Sequence, residues 1–199
     1  MFTPIDVFFE FGSPYSYLAN QELPALAARH GRQLRWRPIE LAKVWAAQGV
    51  LEAYAAVRRV KLDYVRHDAA RVAADRGLPL VLPGSRPDTT LARLVVHRLN
   101  RRAPAAAEPF VLGVWRKVWA EGADIGSIEA LSRGVDPLLH TEIQAAQTDL
   151  QAADDLETAN REALARGCFG VPWICADGEV YFGQDRVYLL DRHLGRAVC

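Results

Sequence analysis

Strand-forming sequence is confined to the two ends of this chain, and that distribution limits the available folds more than any single motif. The run Ile5-Asp6-Val7-Phe8-Phe9-Glu10-Phe11 is rich in β-branched and aromatic residues and reads as a strand. Leu34-Arg35-Trp36-Arg37-Pro38-Ile39 alternates apolar and polar, as a half-buried strand does, and stops near a proline. Between them Leu18, Leu23, Leu26 and Ala27 keep a helical spacing as far as His30, and Gly31 supplies a stop. Strand, helix and strand in succession make a βαβ unit, with a right-handed crossover expected. Strand character returns only at 171–176 and at Val180-Tyr181-Phe182, joined by the hairpin dipeptide Asp177-Gly178, and a helix from Gln184 to His193 ends the pattern.

The middle of the chain, from about Ala42 to Gly167, reads as helix. Phe110, Val111, Val114, Trp115, Val118 and Trp119 form one apolar stripe; Leu91, Leu94, Val95 and Leu99 form another. Ser127 is placed to cap a shorter helix that Gly134 closes, and the proline-rich stretch 77–87 reads as an irregular loop. The expected architecture is α/β. Residues 1–41 and 165–199 form one discontinuous domain, and residues 42–164 form an all-helical insertion.

Two segments carry the candidate chemistry. In the first, Gly12 breaks the opening strand, Ser13 is a good helix N-cap, and Pro14 fits the first helical position. Taken alone, Ser13-Pro14-Tyr15-Ser16 is a well-made helix start. The second segment is Gly167-Cys168-Phe169-Gly170-Val171-Pro172 before the hairpin, with Phe182-Gly183-Gln184-Asp185-Arg186 after it. X–Pro bonds adopt the cis form at a cost of only about 0.5–1 kcal/mol. A cis bond at Val171–Pro172 would leave the Val171 backbone free to pair with an extended ligand. Asp185 is expected in the first turn of the last helix, where a carboxylate suits the helix dipole and can meet an ammonium group.

Composition removes several function classes. The 24 Lys and Arg balance the 24 Asp and Glu, so no field steers the chain toward nucleic acid or an anionic membrane. No apolar run is long enough to span a bilayer, and the N-terminus lacks the pattern of a signal peptide, so the cytoplasm is the expected compartment. Cys168, Cys175 and Cys199 make no C-x-x-C and an odd count, which argues against a disulfide framework. The five histidines lack ligand spacing, and no metal is expected. The pairs Arg58-Arg59 and Arg101-Arg102 read as solvated faces.

The Ser-Pro-x-Ser corner resembles the Cys-Pro-x-Cys corner of thioredoxin-like proteins with both sulfurs replaced by hydroxyls. The whole set of motifs, F-x-F-G-S-P-Y-S-Y-L-A, G-C-F-G-V-P-W, D-G-E and F-G-Q-D-R, resembles the 2-hydroxychromene-2-carboxylate isomerases, relatives of the kappa-class glutathione transferases. The resemblance extends through Lys61-x-x-Tyr64-x-x-x-Asp68-x-x-Arg71 and Gly77-Leu78-Pro79. It implies a thioredoxin-like domain interrupted by helices, a homodimer, glutathione as cofactor, and a small aromatic unsaturated acid as substrate. It further implies that Ser13 donates its hydroxyl to the glutathione sulfur and that Val171, beside cis-Pro172, pairs with the cysteinyl part. Gln184 and Asp185 would hold the γ-glutamyl end, and Lys61 would reach the glycine carboxylate. Relatives typically carry an asparagine after a glycine in the region where this chain has Gly49-Val50, so one polar contact is expected to be missing. Arg186 and Lys43 are candidates for the substrate's carboxylate and carbonyl. Tyr15 and Tyr17 are expected in the core or at its rim, Trp115 and Trp119 in the core or at a dimer contact, and Cys168 in the core. A glutathione transferase and a non-catalytic glutathione- or peptide-binding module are the alternative readings; a disulfide oxidoreductase would need the thiols that Ser13 and Ser16 replace.

Overall fold

The structure, a computed structural model, describes residues 3–196, with Arg58 and Arg59 described by their backbone alone. Cys199 and the side chains of that arginine pair lie outside the described residues. Four strands form one mixed sheet in the order β2-β1-β3-β4. β1 (Ile5–Phe9) and β2 (Leu34–Pro38) run parallel, in register from Ile5 opposite Leu34 to Phe9 opposite Pro38. β3 (Trp173–Ala176) is antiparallel to β1, with Val7 opposite Ile174, and β4 (Glu179–Phe182) completes a hairpin with β3. At its turn Asp177 and Gly178 have φ of 51° and 87°. Both are left-handed, which is the geometry that makes Asp-Gly a good hairpin pair.

The βα segment after β1 corrects one expectation. The single helix to His30 is two: α1 (Pro14–Asn20) and α2 (Leu23–Arg29). Pro24 explains the break, since its ring would clash with the Asn20 carbonyl in a continuous helix. The middle of the chain forms α3 (Leu41–Ala47), α4 (Leu51–Asp75), α5 (Thr90–Arg102), α6 (Pro104–Trp115), α7 (Ile128–Ser132), α8 (His140–Ala146) and α9 (Leu150–Ala165). The stretch between α4 and α5 is irregular, and Ser127 caps α7 by accepting the Ala130 N–H. A second correction concerns the last helix. Gln184–Arg186 is a 3-10 turn, and α10 (Val187–Arg196) begins only after it.

Both faces of the sheet are covered, so β1 is buried on alternate sides. Ile5, Val7 and Phe9 join Trp36 and the stripe 110–119, while Phe8 faces Val44, Ala159, Ala163, Val171 and Trp173. Trp115 packs edge-on against Trp36 at 5.6 Å and tilted on Phe9 at 4.6 Å. The stripe continues from α6 into a π-helical turn at Arg116–Ala120, with all six of its apolar residues buried. Within that turn Lys117 is also buried. Its Nζ donates to the Ala130 and Leu131 carbonyls near the end of α7, and burial pushes its pKa down. Among the described residues no helix is long and apolar enough to cross a membrane.

Candidate active site

The two candidate segments meet at one point. Ser13 caps α1 from an extended backbone, its Oγ accepting the Ser16 N–H at 3.2 Å. The same oxygen donates its proton to the Val171 carbonyl at 3.5 Å. The Val171–Pro172 peptide is cis, and the Pro172 carbonyl accepts the Gly183 N–H at 3.0 Å. The corner, the Val–Pro step and the 183–185 turn are thus consecutive links. Among the described residues the Val171 N–H has no hydrogen-bond partner, which leaves a peptide donor at the end of the sheet.

Ser16 is oriented differently. It is buried, and its Oγ has no partner among the described residues. The corner therefore offers one hydroxyl, not a pair. Neither described cysteine supplies sulfur chemistry: Cys168 and Cys175 are buried free thiols. Burial pushes Cys168 up to about 12, far from a thiolate at neutral pH.

Around the corner, Gln184 is buried and its Oε1 accepts from Arg76 Nη2 at 2.6 Å, while Arg76 Nη1 pairs with Glu22 at 2.6 Å. An arginine can only donate, so the Gln184 amide is oriented with its NH2 directed elsewhere. Asp185 is exposed beside Arg186, its carboxylate 2.6 Å from Nη1. Its position follows from Gly183, whose φ of 96° lies where L side chains are strained. Tyr15 donates to Asp68 Oδ2 at 2.8 Å. Its own burial first, then Asp68 and more weakly Asp185, raise its pKa, so it remains a protonated donor.

Lys61 is exposed on α4 with Nζ 4.6 Å from the centre of the Tyr54 ring. Tyr54 stacks on Trp45 at 4.3 Å, and Trp45 Nε1 donates to the Phe169 carbonyl at 2.9 Å. Gln48 Nε2 donates to the Cys168 carbonyl at 2.8 Å. Lys61 is therefore connected, through two rings, to the loop that carries Val171. Val50 stands at the start of α4 without a side-chain cap, so no polar group is offered there.

Of the two candidates for the substrate's carboxylate and carbonyl, Lys43 is paired with Glu40 and Glu157, and Arg186 with Asp185. Sequence reasoning missed Arg76, Trp45, Tyr54, Glu10 and Arg86. Only Glu10 carried a signal: an acidic residue in an otherwise apolar stretch must find partners when buried. It is buried, and accepts the Leu41 N–H and an Arg86 N–H, each at 2.9 Å. Arg76 and Arg86 reach their partners from remote segments that no spacing in the sequence connects.

A small γ-glutamyl peptide thiol would find complementary groups here: a hydroxyl for its sulfur, a backbone N–H for its peptide bond, and an amide, a carboxylate and an ammonium for its charged ends. Two features of this structure make that fit possible: the Val171 N–H, without a partner among the described residues, and the Gln184 amide, fixed by Arg76.

Comparison with known proteins places these features in a class. Residues 4–195 match the DSBA-like thioredoxin domain. The 2-hydroxychromene-2-carboxylate isomerase of Pseudomonas putida is 34% identical over 197 residues, covering 96% of this chain and 94% of that protein. The enzyme of the same name from Pseudomonas sp. (strain C18) is 31% identical over 198 residues, covering 97% and 91%. A solved structure of 2-hydroxychromene-2-carboxylate isomerase superposes with a TM-score of 0.82 at 31% identity, over 98% of this chain and 96% of that one. The chain is a DSBA-like thioredoxin-fold protein. Within that class it belongs to the 2-hydroxychromene-2-carboxylate isomerase family.

Proposed function

We propose that this isomerase is glutathione-dependent. On this reading it interconverts 2-hydroxychromene-2-carboxylate and trans-o-hydroxybenzylidenepyruvate, or a related unsaturated aromatic 2-oxo acid. One observation carries the reading: where a disulfide enzyme needs two thiols, this chain directs one hydroxyl, Ser13 Oγ, at the Val171 backbone beside cis-Pro172. Among the described residues the protein has no accessible thiol there. Glutathione, held by Ser13, Val171, Gln184, Asp185 and Lys61, would supply a thiolate for reversible nucleophilic catalysis at the conjugated carbon.

The chain's own groups then have defined tasks. The Ser13 Oγ–H swings from the Val171 carbonyl to the sulfur anion, and each unit by which it lowers the thiol pKa corresponds to about 1.36 kcal/mol of thiolate preference. Val171 offers its N–H to the cysteinyl peptide. The Gln184 NH2 and the Asp185 carboxylate receive the carboxylate and ammonium of the γ-glutamyl end, and Lys61, on its flexible stem, takes the glycine carboxylate. Tyr15 stays protonated and can only donate. We extend the reading to a homodimer, as the resemblance implies, in the cytoplasm, as the cysteine usage and N-terminal pattern lead one to expect.

The test is conversion of trans-o-hydroxybenzylidenepyruvate followed by absorbance, with and without glutathione, in wild type and Ser13→Ala. Fast conversion that needs glutathione without consuming it, and that fails in the variant, supports the reading. Consumption of glutathione indicates a transferase. Calorimetric binding of glutathione with no turnover of any electrophile indicates a binding module.

A further inference from the structure

The exposed ammonium of Lys61 rests on an aromatic platform. Tyr54 and Lys61 lie two helical turns apart on α4, hence on one face, and side chains on a helix lean toward its N-terminus, so the lysine reaches back over the ring. Its Nζ is 4.6 Å from the ring centre. Trp45, from α3, covers one face of the same ring: the two rings are 4.3 Å apart and within 9° of parallel. A phenol braced on one side by an indole has a single face left, and the negative potential of that face attracts a cation.

The platform is tied to the loop that carries Val171. Trp45 Nε1 donates to the Phe169 carbonyl at 2.9 Å, and the Tyr54 hydroxyl approaches the same carbonyl at 3.5 Å. Gln48 Nε2 donates to the Cys168 carbonyl at 2.8 Å. Phe169 packs edge-on against Trp173 at 5.1 Å and against Phe182 at 4.6 Å. One set of contacts thus fixes the ammonium relative to the Val171 N–H. Among the described residues Lys61 has no carboxylate partner, and an ammonium has three N–H donors, so its outward side is available. Val50, at the start of α4, adds no polar group.

We propose that the Tyr54 ring, braced by Trp45, positions the Lys61 ammonium for the glycine carboxylate of glutathione and makes the site selective for that carboxylate. This rests on the reading of Lys61 given above. A lysine loose on its stem must be ordered when the ligand arrives, whereas one already seated on a ring loses less freedom. Tyr54 and Trp45 are positioning residues, because they act through the lysine.

The experiment is calorimetric binding of glutathione and of its glycine ethyl ester, which keeps the thiol and both peptide bonds but removes the negative charge at the glycine end. Wild type is expected to bind glutathione roughly tenfold more tightly than the ester, the scale of a positioned charge-assisted contact. Tyr54→Leu is expected to reduce that ratio to about threefold, because the ammonium must then be ordered on binding. Tyr54→Phe, which keeps the ring face and drops only the hydroxyl, is expected to retain the wild-type ratio, and Lys61→Gln to abolish it. A Tyr54→Leu protein that binds both peptides less well at an unchanged ratio has lost only structure, and overturns the proposal. So does a Tyr54→Phe protein that behaves like Tyr54→Leu. Loss of the ratio in Lys61→Gln with none in Tyr54→Leu removes the platform and keeps the lysine. A wild type without the ratio, or a ratio that persists in Lys61→Gln, removes the reading of Lys61 and the proposal with it.

Discussion

Ser13 and Val171 are 158 residues apart in sequence, yet the Ser13 hydroxyl points its only proton at the Val171 carbonyl, 3.5 Å away. That distance is long for O–H···O, where about 2.7–2.8 Å is usual. The bond orients the hydroxyl and costs little to release. An anion arriving at the corner would take the proton in a shorter, charge-assisted bond.

Ser13→Ala should therefore show two separable losses. Removing the cap that receives the Ser16 N–H costs about 1 kcal/mol, read by urea unfolding. Removing the donor lowers glutathione-dependent kcat/KM on the order of 100-fold, the usual scale for one donor at a developing anion. Ser13→Thr keeps an oxygen and a proton, and should lose much less of both. A Ser13→Ala enzyme that is less stable but equally active would reduce the hydroxyl to a cap.

The second corner serine should behave in the opposite way. Ser16 Oγ is buried with no partner among the described residues, so it gives up its hydration for nothing. Ser16→Ala removes that penalty and adds a better helix former within α1. A gain of about 1 kcal/mol in urea unfolding, with kcat/KM within twofold of wild type, is the expected result. Loss of activity here would mean that the corner works as a pair.

Much of this arrangement was legible in the sequence because its signals are local. Ser13 as a cap, the Asp177-Gly178 hairpin and the terminal placement of the strands each depend on a few neighbouring residues. The helix break at Pro24 is equally local, but the apolar period runs smoothly across it and masks it. The motif F-G-Q-D-R located Gln184 and Asp185 but not their surroundings: Arg76, which sets the Gln184 amide, is 108 residues away. Likewise Lys43 looked like a free cation until Glu157, from α9, came beside it. What single residues do was readable; which charges are already neutralised depends on the packing of remote helices.

Gly183 sets the position of Asp185 through its backbone conformation. Its φ is 96°, and a Cβ there would stand 2.7 Å from Asp185 Oδ1. Gly183→Ala should cost about 1–3 kcal/mol in stability and displace the Asp185 carboxylate. The expected binding signature is a roughly tenfold higher Kd for glutathione, with cysteinylglycine, which lacks the γ-glutamyl group, unaffected. Equal weakening of both peptides would show that the turn matters only to the fold.

Asp177 ties the hairpin to the rest of the sheet. Its carboxylate accepts from Arg32 Nη1 at 2.8 Å and Nη2 at 2.9 Å, and from Thr3 Oγ1 at 2.9 Å. Arg32 is the main cause that holds its pKa down at about 2. A depressed carboxylate contributes stability above its unfolded pKa of 3.8 and loses it as pH falls through 2. That contribution is about 2 kcal/mol. Asn tolerates the left-handed turn, so Asp177→Asn isolates the charge, and about 2 kcal/mol should be lost at pH 7. Below pH 2 the variant and wild type should converge.

His97 gives the fold a separate acid sensitivity at milder pH. It is buried on α5 with Nε2 2.9 Å from the Pro38 carbonyl at the end of β2. A carbonyl only accepts, so the neutral ring carries its proton on Nε2. Burial, with Arg37 and Arg101 adding to it, pushes the pKa down to about 4 from 6.5. The unfolded chain therefore binds a proton that the folded chain refuses between those values. Stability is complete above pH 6.5 and falls as pH drops toward 4, by about 3 kcal/mol in all. Urea unfolding from pH 7.5 to 4 should show that slope. His97→Gln, which can keep the bond to Pro38 but cannot titrate, should flatten it while lowering stability at pH 7.5 by about 1 kcal/mol. A slope unchanged in the variant would assign the acid sensitivity to the carboxylates instead.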